Sequence, residues 1–353
     1  MRHTTAKVLT VAATTTALLT AVAAGPAAAN PAPEPASASA LTLTAVLPAA
    51  QDVVGAGAPG TEAVYGRFSA DYNLTPGPVG GQPELYGLSA SGPSPVVPKT
   101  GGTPIVRPAS SSAGIAALNA TTSTTLDYAR SVRGRLAGDP TGVLFGAFAK
   151  DAVTWAAKSG GHAPANLTAQ NLFDIYSCLP GATNWASLGG AAGTVKPYLP
   201  QAGSETRAAF LKAIGDPVLG GCVLVGPAED EGTDPVLNDP DVLFPYSAGH
   251  WVGQANGHST ATDDKGPLTL RSVNGVAPLT GTGTLNPAFA GAPFGRVLYT
   301  VVRSGDWTAS SPRSTALHAV FGPSGWVCST AGRADTASYG YLTVPATICG
   351  SFG

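Results

Sequence analysis

Charge is scarce in this chain. Of 353 residues only 11% are Asp, Glu, Lys or Arg, and 19 bases against 21 acids leave a formal net charge of −2. Such a balance supplies no basic face for nucleic acid and no pull toward an anionic membrane surface. Cysteine is scarcer still: there are four, and none precedes Cys178. The amino-terminal region therefore cannot end in a lipid-modified cysteine. No C-x-x-C pair with nearby histidines stands ready for zinc, so no metal is expected. Catalytic motifs are missing as well. There is no H-E-x-x-H helix and no G-x-S-x-G elbow, and His162, His250, His258 and His318 are scattered. No catalytic residue and no cofactor is assigned. A Ser–His–Asp triad assembled in space, and with it a secreted hydrolase, stays as the lesser alternative.

Glycine and proline, by contrast, are abundant at 45 and 31 residues, which implies many turns, while 44% hydrophobic content argues against wholesale disorder. The length suffices for two lobes, each with its own core. Residues 1–29 read as a secretory signal: Arg2 and Lys7, then the apolar run Val8–Ala24, then Ala27-Ala28-Ala29 before Asn30. Thr14–Thr16 dilute that run, which argues against a permanent membrane span. Residues 30–48 are a Pro/Ala/Ser tether. A released, extracellular protein is expected. Four cysteines in an exported chain suggest two disulfides, with three possible pairings. Cys178–Cys222 with Cys328–Cys349 is chosen because each pair falls within one expected lobe.

Beyond the tether the pattern alternates strands, small-residue turns and helices. Val53-Val54 enters the turn Gly55–Thr61, and Val64, Tyr65, Phe68 and Tyr72 then recur at helical spacing. Gly55, Gly57 and Gly60 do not complete a dinucleotide-binding fingerprint. A second hydroxyl-rich turn, Ser110-Ser111-Ser112, opens a helix at Ile115–Asn119. Leu126–Val132 is a short strand running into a basic turn with Arg130, Ser131 and Arg133. Val143–Phe148 is a strand followed by a further apolar segment, and Thr168 can cap a helix carrying Leu172, Ile175 and Tyr176. Val195–Leu199 leads into Gly203-Ser204-Glu205-Thr206-Arg207, a third hydroxyl-rich turn opening a helix. The acidic stretch Ala228–Asp241 lacks a calcium-loop pattern and reads as a solvated loop. Val242–Tyr246 and Arg296–Val302 are strands. Such alternation points to α/β architecture with parallel sheets and a ligand near the strand ends.

Each hydroxyl-rich turn leaves backbone N–H groups unpaired at the positive end of a helix dipole, a natural place for an anion. Ser204 or Thr206 could equally do no more than cap its own helix.

Four motifs in order carry a family resemblance. VVGAGAPGTEAVYGRFSADYN (Val53–Asn73) is similar to an opening strand, turn and first helix. NLTAQNLFDIYSC (Asn166–Cys178) with Asn184-Trp185 resembles a second-lobe helix and tryptophan. LPQAGSETRAAF (Leu199–Phe210) resembles a G-S-G-T ligand turn, and FPYSAGHW (Phe244–Trp251) a strand returning to the first lobe. Together they resemble the type II periplasmic-binding-protein fold, and within it the phosphate-binding component of phosphate ABC importers in a secreted actinobacterial form. The resemblance spans roughly Asp52–Gly353. It implies a two-lobe α/β protein with a ligand cleft between lobes, lobe 1 being 49–142 and 246–353 and lobe 2 being 143–245. It also implies a monomer that holds a small inorganic anion and hands it to an ABC permease. Its ligand turns fall on Thr61, on Ser111 and Ser112, on Arg130 and Ser131, and on Ser204, Glu205, Thr206 and Arg207.

The chain departs from the family pattern at telling places. Val132 stands where the family holds an aspartate, Pro200 where it holds an arginine, and Glu205 where its ligand turn holds glycine. A carboxylate ~4 Å from an oxyanion costs on the order of 4 kcal/mol at an effective dielectric of about 20. Arg130, Arg133 and Arg207 could offset that repulsion, Glu205 could accept a phosphate proton, or it could point to solvent and serve only its own helix. The alternative function is a binding fold that has lost transport and acts as an extracellular ligand- or surface-binding protein.

Overall fold

A computed structural model of the protein describes residues 47–353. The expected signal at 1–29 and nearly all of the 30–48 tether lie outside the described residues.

In chain order the strands of the main sheet are β1 (Val53–Gly57), β2 (Leu85–Gly87), β3 (Tyr128–Ser131), β4 (Val143–Lys158), β5 (Lys196–Leu199), β6 (Leu224–Val225), β7 (Val242–Ser247), β8 (Leu268–Leu270), β9 (Gly295–Arg303) and β10 (Leu342–Thr343). Among the described residues these ten form one sheet in the order β2-β1-β3-β9-β4-β7-β5-β6, with β8 and β10 also pairing β4. The sheet is mixed, which corrects the expectation of parallel sheets. Pairs β1·β2, β1·β3, β5·β6 and β5·β7 are parallel, whereas β9 runs antiparallel to both β3 and β4, and β7 antiparallel to β4. The reason lies in β4. What reads as a strand plus an apolar segment is one strand of 16 residues, and the chain returning beside it from either side must run the other way.

Burial explains why β4 looks irregular in sequence. Residues Asp151–Ala157 are buried on both faces, so the alternation of a half-exposed strand is lost there. Its first part packs into one core with Tyr65, Phe68, Tyr128, Phe148 and Phe321. Its second part packs into another with Trp155, Trp185, Tyr176 and Phe210, where Trp155 and Trp185 stack at 6.1 Å. Ala248, Val273, Leu285, Phe289 and Phe294 also join this second core. The segment following β7 therefore packs into the second core before β9 returns beside β3.

Helix α1 (Glu62–Tyr72) buries Val64, Tyr65, Phe68 and Tyr72, the residues whose spacing announces it. Burying each such side chain contributes roughly 1.5–3 kcal/mol. Helix α2 (Ser111–Ala120) starts at Ser110, whose hydroxyl accepts the Ala113 N–H at 3.1 Å. Its first turn lies hard against β1: a Cβ on Gly114 would sit 2.7 Å from the Gly57 Cα and 3.0 Å from the Ala56 carbonyl oxygen. Helix α3 (Ala169–Tyr176) is held by a reciprocal capping box between Thr168 and Asn171. Helix α4 (Glu205–Ala213) is capped by Ser204, which accepts the Arg207 N–H at 3.1 Å. Helix α5 (Ala248–Gly253) follows β7 and is capped by Ser247.

Both expected disulfides form: Cys178–Cys222 and Cys328–Cys349, with Cα separations of 5.9 and 5.7 Å. No helix among the described residues is long and apolar enough to cross a membrane.

Candidate functional site

Four chain-distant turns meet where the carboxyl ends of β1 and β3 face the start of α4. From the first comes Thr61, buried at the foot of α1 with its hydroxyl donating to the Ala58 carbonyl at 3.4 Å. The second supplies the N-terminus of α2, and Ser111 is wholly buried there. The third is tied to the second, since the Val132 N–H donates to Ser111 Oγ at 3.0 Å. From the fourth come Ser204 and Thr206, both buried.

Glu205 does not point to solvent. Its carboxylate reaches from α4 to the start of α2, where the Ser111 N–H donates to both Oε1 and Oε2 at 3.1 Å. Burial pushes this carboxyl up, against the hydrogen bonding from Ser111 that pulls it down. A second carboxylate does the same for α4. Glu229 Oε2 accepts Ser204 Oγ–H at 2.6 Å and Thr206 N–H at 3.1 Å.

At the junction sits Arg296, from the first turns of β9. Its Nε and Nη2 pair with the buried Asp151 of β4 at 2.9 and 2.8 Å, and Nη2 also lies 3.4 Å from Thr206 Oγ1. A Cβ on Gly60 would come within 3.9 Å of the same Nη2, so this guanidinium bonds the fourth turn and lies near the first. Its side chain is only 9% exposed, and Nη1 is buried without a hydrogen-bond partner. Asp151 is further held by Ser247 Oγ–H and the Gly249 N–H at 2.8 and 2.9 Å.

Behind Arg296 lies a buried acid–base group. His250 Nε2 meets Asp263 at 2.5 Å and its Nδ1 is 3.8 Å from Asp230. Burial pushes Asp230 up to about 7, although His250 opposes this. Burial acts to lower His250, but Asp230, Asp263 and Asp151 together outweigh it and raise the imidazolium to about 10. Tyr341 closes the cluster by donating to the Gly60 carbonyl at 2.6 Å.

Other residues singled out in sequence take supporting places. Arg130 is fully buried beneath the first turn, bonding the Ala58 and Gly57 carbonyls and lying 3.5 Å from Glu62. Ser131 Oγ donates to the Arg133 carbonyl at 2.7 Å. Ser112 is exposed and its hydroxyl accepts from Arg133 Nη2 at 2.9 Å. Arg207 Nη1 donates to the Pro200 carbonyl at 3.1 Å. Neither Arg133, bound to Asp139, nor Arg207 nor Arg130 makes an ion pair with Glu205; Arg296 is the cation that lowers the Glu205 carboxyl. Beside the crevice a cavity of about 670 Å3 opens between the third turn and α4, lined by Val132, Leu136, Ala208, Pro293 and Tyr299 with Arg133 and Lys212.

Sequence reading missed Arg296, Asp151, Glu229, Asp230 and His250. The acidic stretch Ala228–Asp241 is not simply a solvated loop: Asp230 is 4% exposed and Glu229 turns inward. A signal for Asp151 was present, because an aspartate in a mostly apolar strand segment has to find a partner. No comparable signal marked Glu229.

Two halves carried on one mixed sheet, with loop ends converging between them, define a two-lobe fold of the periplasmic-binding-protein type. Solved structures share it. An ABC-type phosphate transport receptor from Vibrio cholerae matches with a TM-score of 0.55 at 16% identity, over 83% of this chain and 100% of its own. A substrate-binding protein of the phosphate ABC transporter type from Clostridium perfringens, solved with phosphate bound, matches at 0.57 and 16%, over 83% and 100%. The ancestral soluble variant of the human phosphate-binding protein matches at 0.51 and 15%, over 84% and 91%. No protein-family model and no curated protein sequence matches the chain.

Proposed function

We propose that this chain is an exported solute-binding protein that takes a small oxyanion, phosphate first, into the crevice between its lobes. One observation carries the reading: a buried arginine with an unpartnered Nη1 stands where two helix N-termini from different lobes converge. The Ser111 and Thr206 N–H groups, the Ser204 hydroxyl and Arg296 would hold the oxyanion, with Thr61 behind them. Arg130 and Ser131 shape the turns, while Ser112 and Arg207 line the flank. The phosphate-related proteins that share the fold favour this chemistry, and binding rather than catalysis. Delivery to an ABC permease by a monomeric extracellular protein follows from the same reading.

Isothermal titration of the chain from Asn30 onward with phosphate, sulfate and molybdate tests it. Saturable 1:1 binding of phosphate, lost in Arg296→Met, is expected. Silence toward all three in folded protein would leave a binding fold without an oxyanion role.

A further inference from the structure

Both helix N-termini of the crevice already hold a negative group, and both groups belong to the protein. Glu205 accepts the first N–H of α2 through its two oxygens. Glu229 accepts from the cap hydroxyl and an N–H of α4 through one. The Glu205 bond joins residues 94 apart in sequence, reaching from a helix that puts Phe210 into the second core to a helix whose Ile115 and Leu118 pack with Ala56, Ala129 and Val301 in a separate cluster. Glu229 is itself fixed, because its N–H donates to Gln201 Oε1 at 3.0 Å.

We propose that Glu205 and Glu229 are resident anions of the crevice: Glu205 latches the lobes shut, and an incoming oxyanion binds by displacing both carboxylates from the helix N-termini. This rests on the oxyanion reading for the identity of the incoming group, though the latch itself does not. Charge accounting supports displacement over shared occupancy. Around Arg296 and His250 the cluster already holds Asp151, Glu205, Glu229, Asp230 and Asp263 against those two cations. A further anion placed at the same donors would face two carboxylates with no cation left to answer them. The Ser111 N–H cannot serve Glu205 and a ligand oxygen equally well, since a single hydrogen is shared.

The test uses Glu205→Gln, Glu229→Gln and the double variant, which keep side-chain size and change charge. Glu205→Ala removes the reach altogether. Phosphate is titrated calorimetrically into each, and small-angle scattering reports the radius of gyration without and with phosphate. Expected are at least tenfold tighter phosphate binding in the double variant than in wild type, and a larger anion-free radius in Glu205→Ala that shrinks when phosphate is added. Equal phosphate affinity in wild type and double variant would overturn displacement while leaving the oxyanion reading intact. An unchanged anion-free radius in Glu205→Ala would overturn the latch. Should no protein bind phosphate, the oxyanion reading falls, and the anion-free radius alone decides the latch. Circular dichroism of each variant confirms that folded material is compared.

Discussion

Replacing Arg296 by methionine isolates the ion pair on which the crevice is built. Asp151 is buried to within 1% of its side chain and loses two short contacts at 2.9 and 2.8 Å when the guanidinium goes. Breaking a buried pair by removing one partner costs about 3–5 kcal/mol, because the remaining charge stays desolvated. Ser247 and the Gly249 N–H still bond Asp151, which places the expected loss near the lower figure, about 3 kcal/mol. At about 2–4 °C per kcal/mol that is a fall in Tm of roughly 6–12 °C. Urea unfolding at pH 7 measures it directly. Asp151→Asn combined with Arg296→Met should recover most of the loss. A single variant within 1 kcal/mol of wild type, or a double variant no better than the single, would refute the account.

Three other outcomes are expected. Burial pushes Asp230 up to about 7 when folded against an ordinary 3.8; its contribution is full below the unfolded value and lost as pH rises through 7, so stability should fall between about pH 4 and 7, and Asp230→Asn should flatten that slope in a Tm–pH series. The His250 contribution, with its value raised from 6.5 to about 10, is full below 6.5 and declines from there as pH rises toward 10, so the Asp230 slope is read cleanly below pH 6.5. Loop-closure entropy gives about 3 kcal/mol for Cys328–Cys349 and about 4 kcal/mol for Cys178–Cys222, from separations of 21 and 44 residues; paired Cys→Ala variants compared in urea should show that order. Gly114→Ala pushes a methyl to within 2.7 Å of Gly57, so it should cost about 1–3 kcal/mol by overpacking and weaken phosphate binding by moving the start of α2. Unchanged stability would mean that the close approach is not required.

How much of this was legible in sequence follows from the range of the forces involved. Helix α1 announces itself through Val64, Tyr65, Phe68 and Tyr72, and Thr168 and Ser204 through their place before an apolar run, because periodicity and caps act within one or two turns. The disulfides were legible once each pair was confined to a lobe. The mixed sheet was not, since nothing local in Arg296–Val302 says that this strand returns between β3 and β4. The site was half legible for the same reason. Ser111, Ser204 and Thr206 belong to turns that can be read one at a time, whereas Arg296 with Asp151, or Glu229 with Thr206, exist as pairs only once residues 145 and 23 apart in sequence have been folded together. Glu205 shows the limit most clearly: its identity was plain, and only the position of another lobe decided where it pointed.

Strand β4 has a mechanical consequence. Its 16 residues run unbroken from one core into the other, pairing β9 up to Ala152 and β7 from Val153 onward. A bending motion of the molecule must pivot there, where the pairing with β9 ends at Ala152 and the pairing with β7 begins at Val153. Heat should likewise find no weak seam, and a calorimetric scan should trace one melting peak, the halves sharing a spine and failing together.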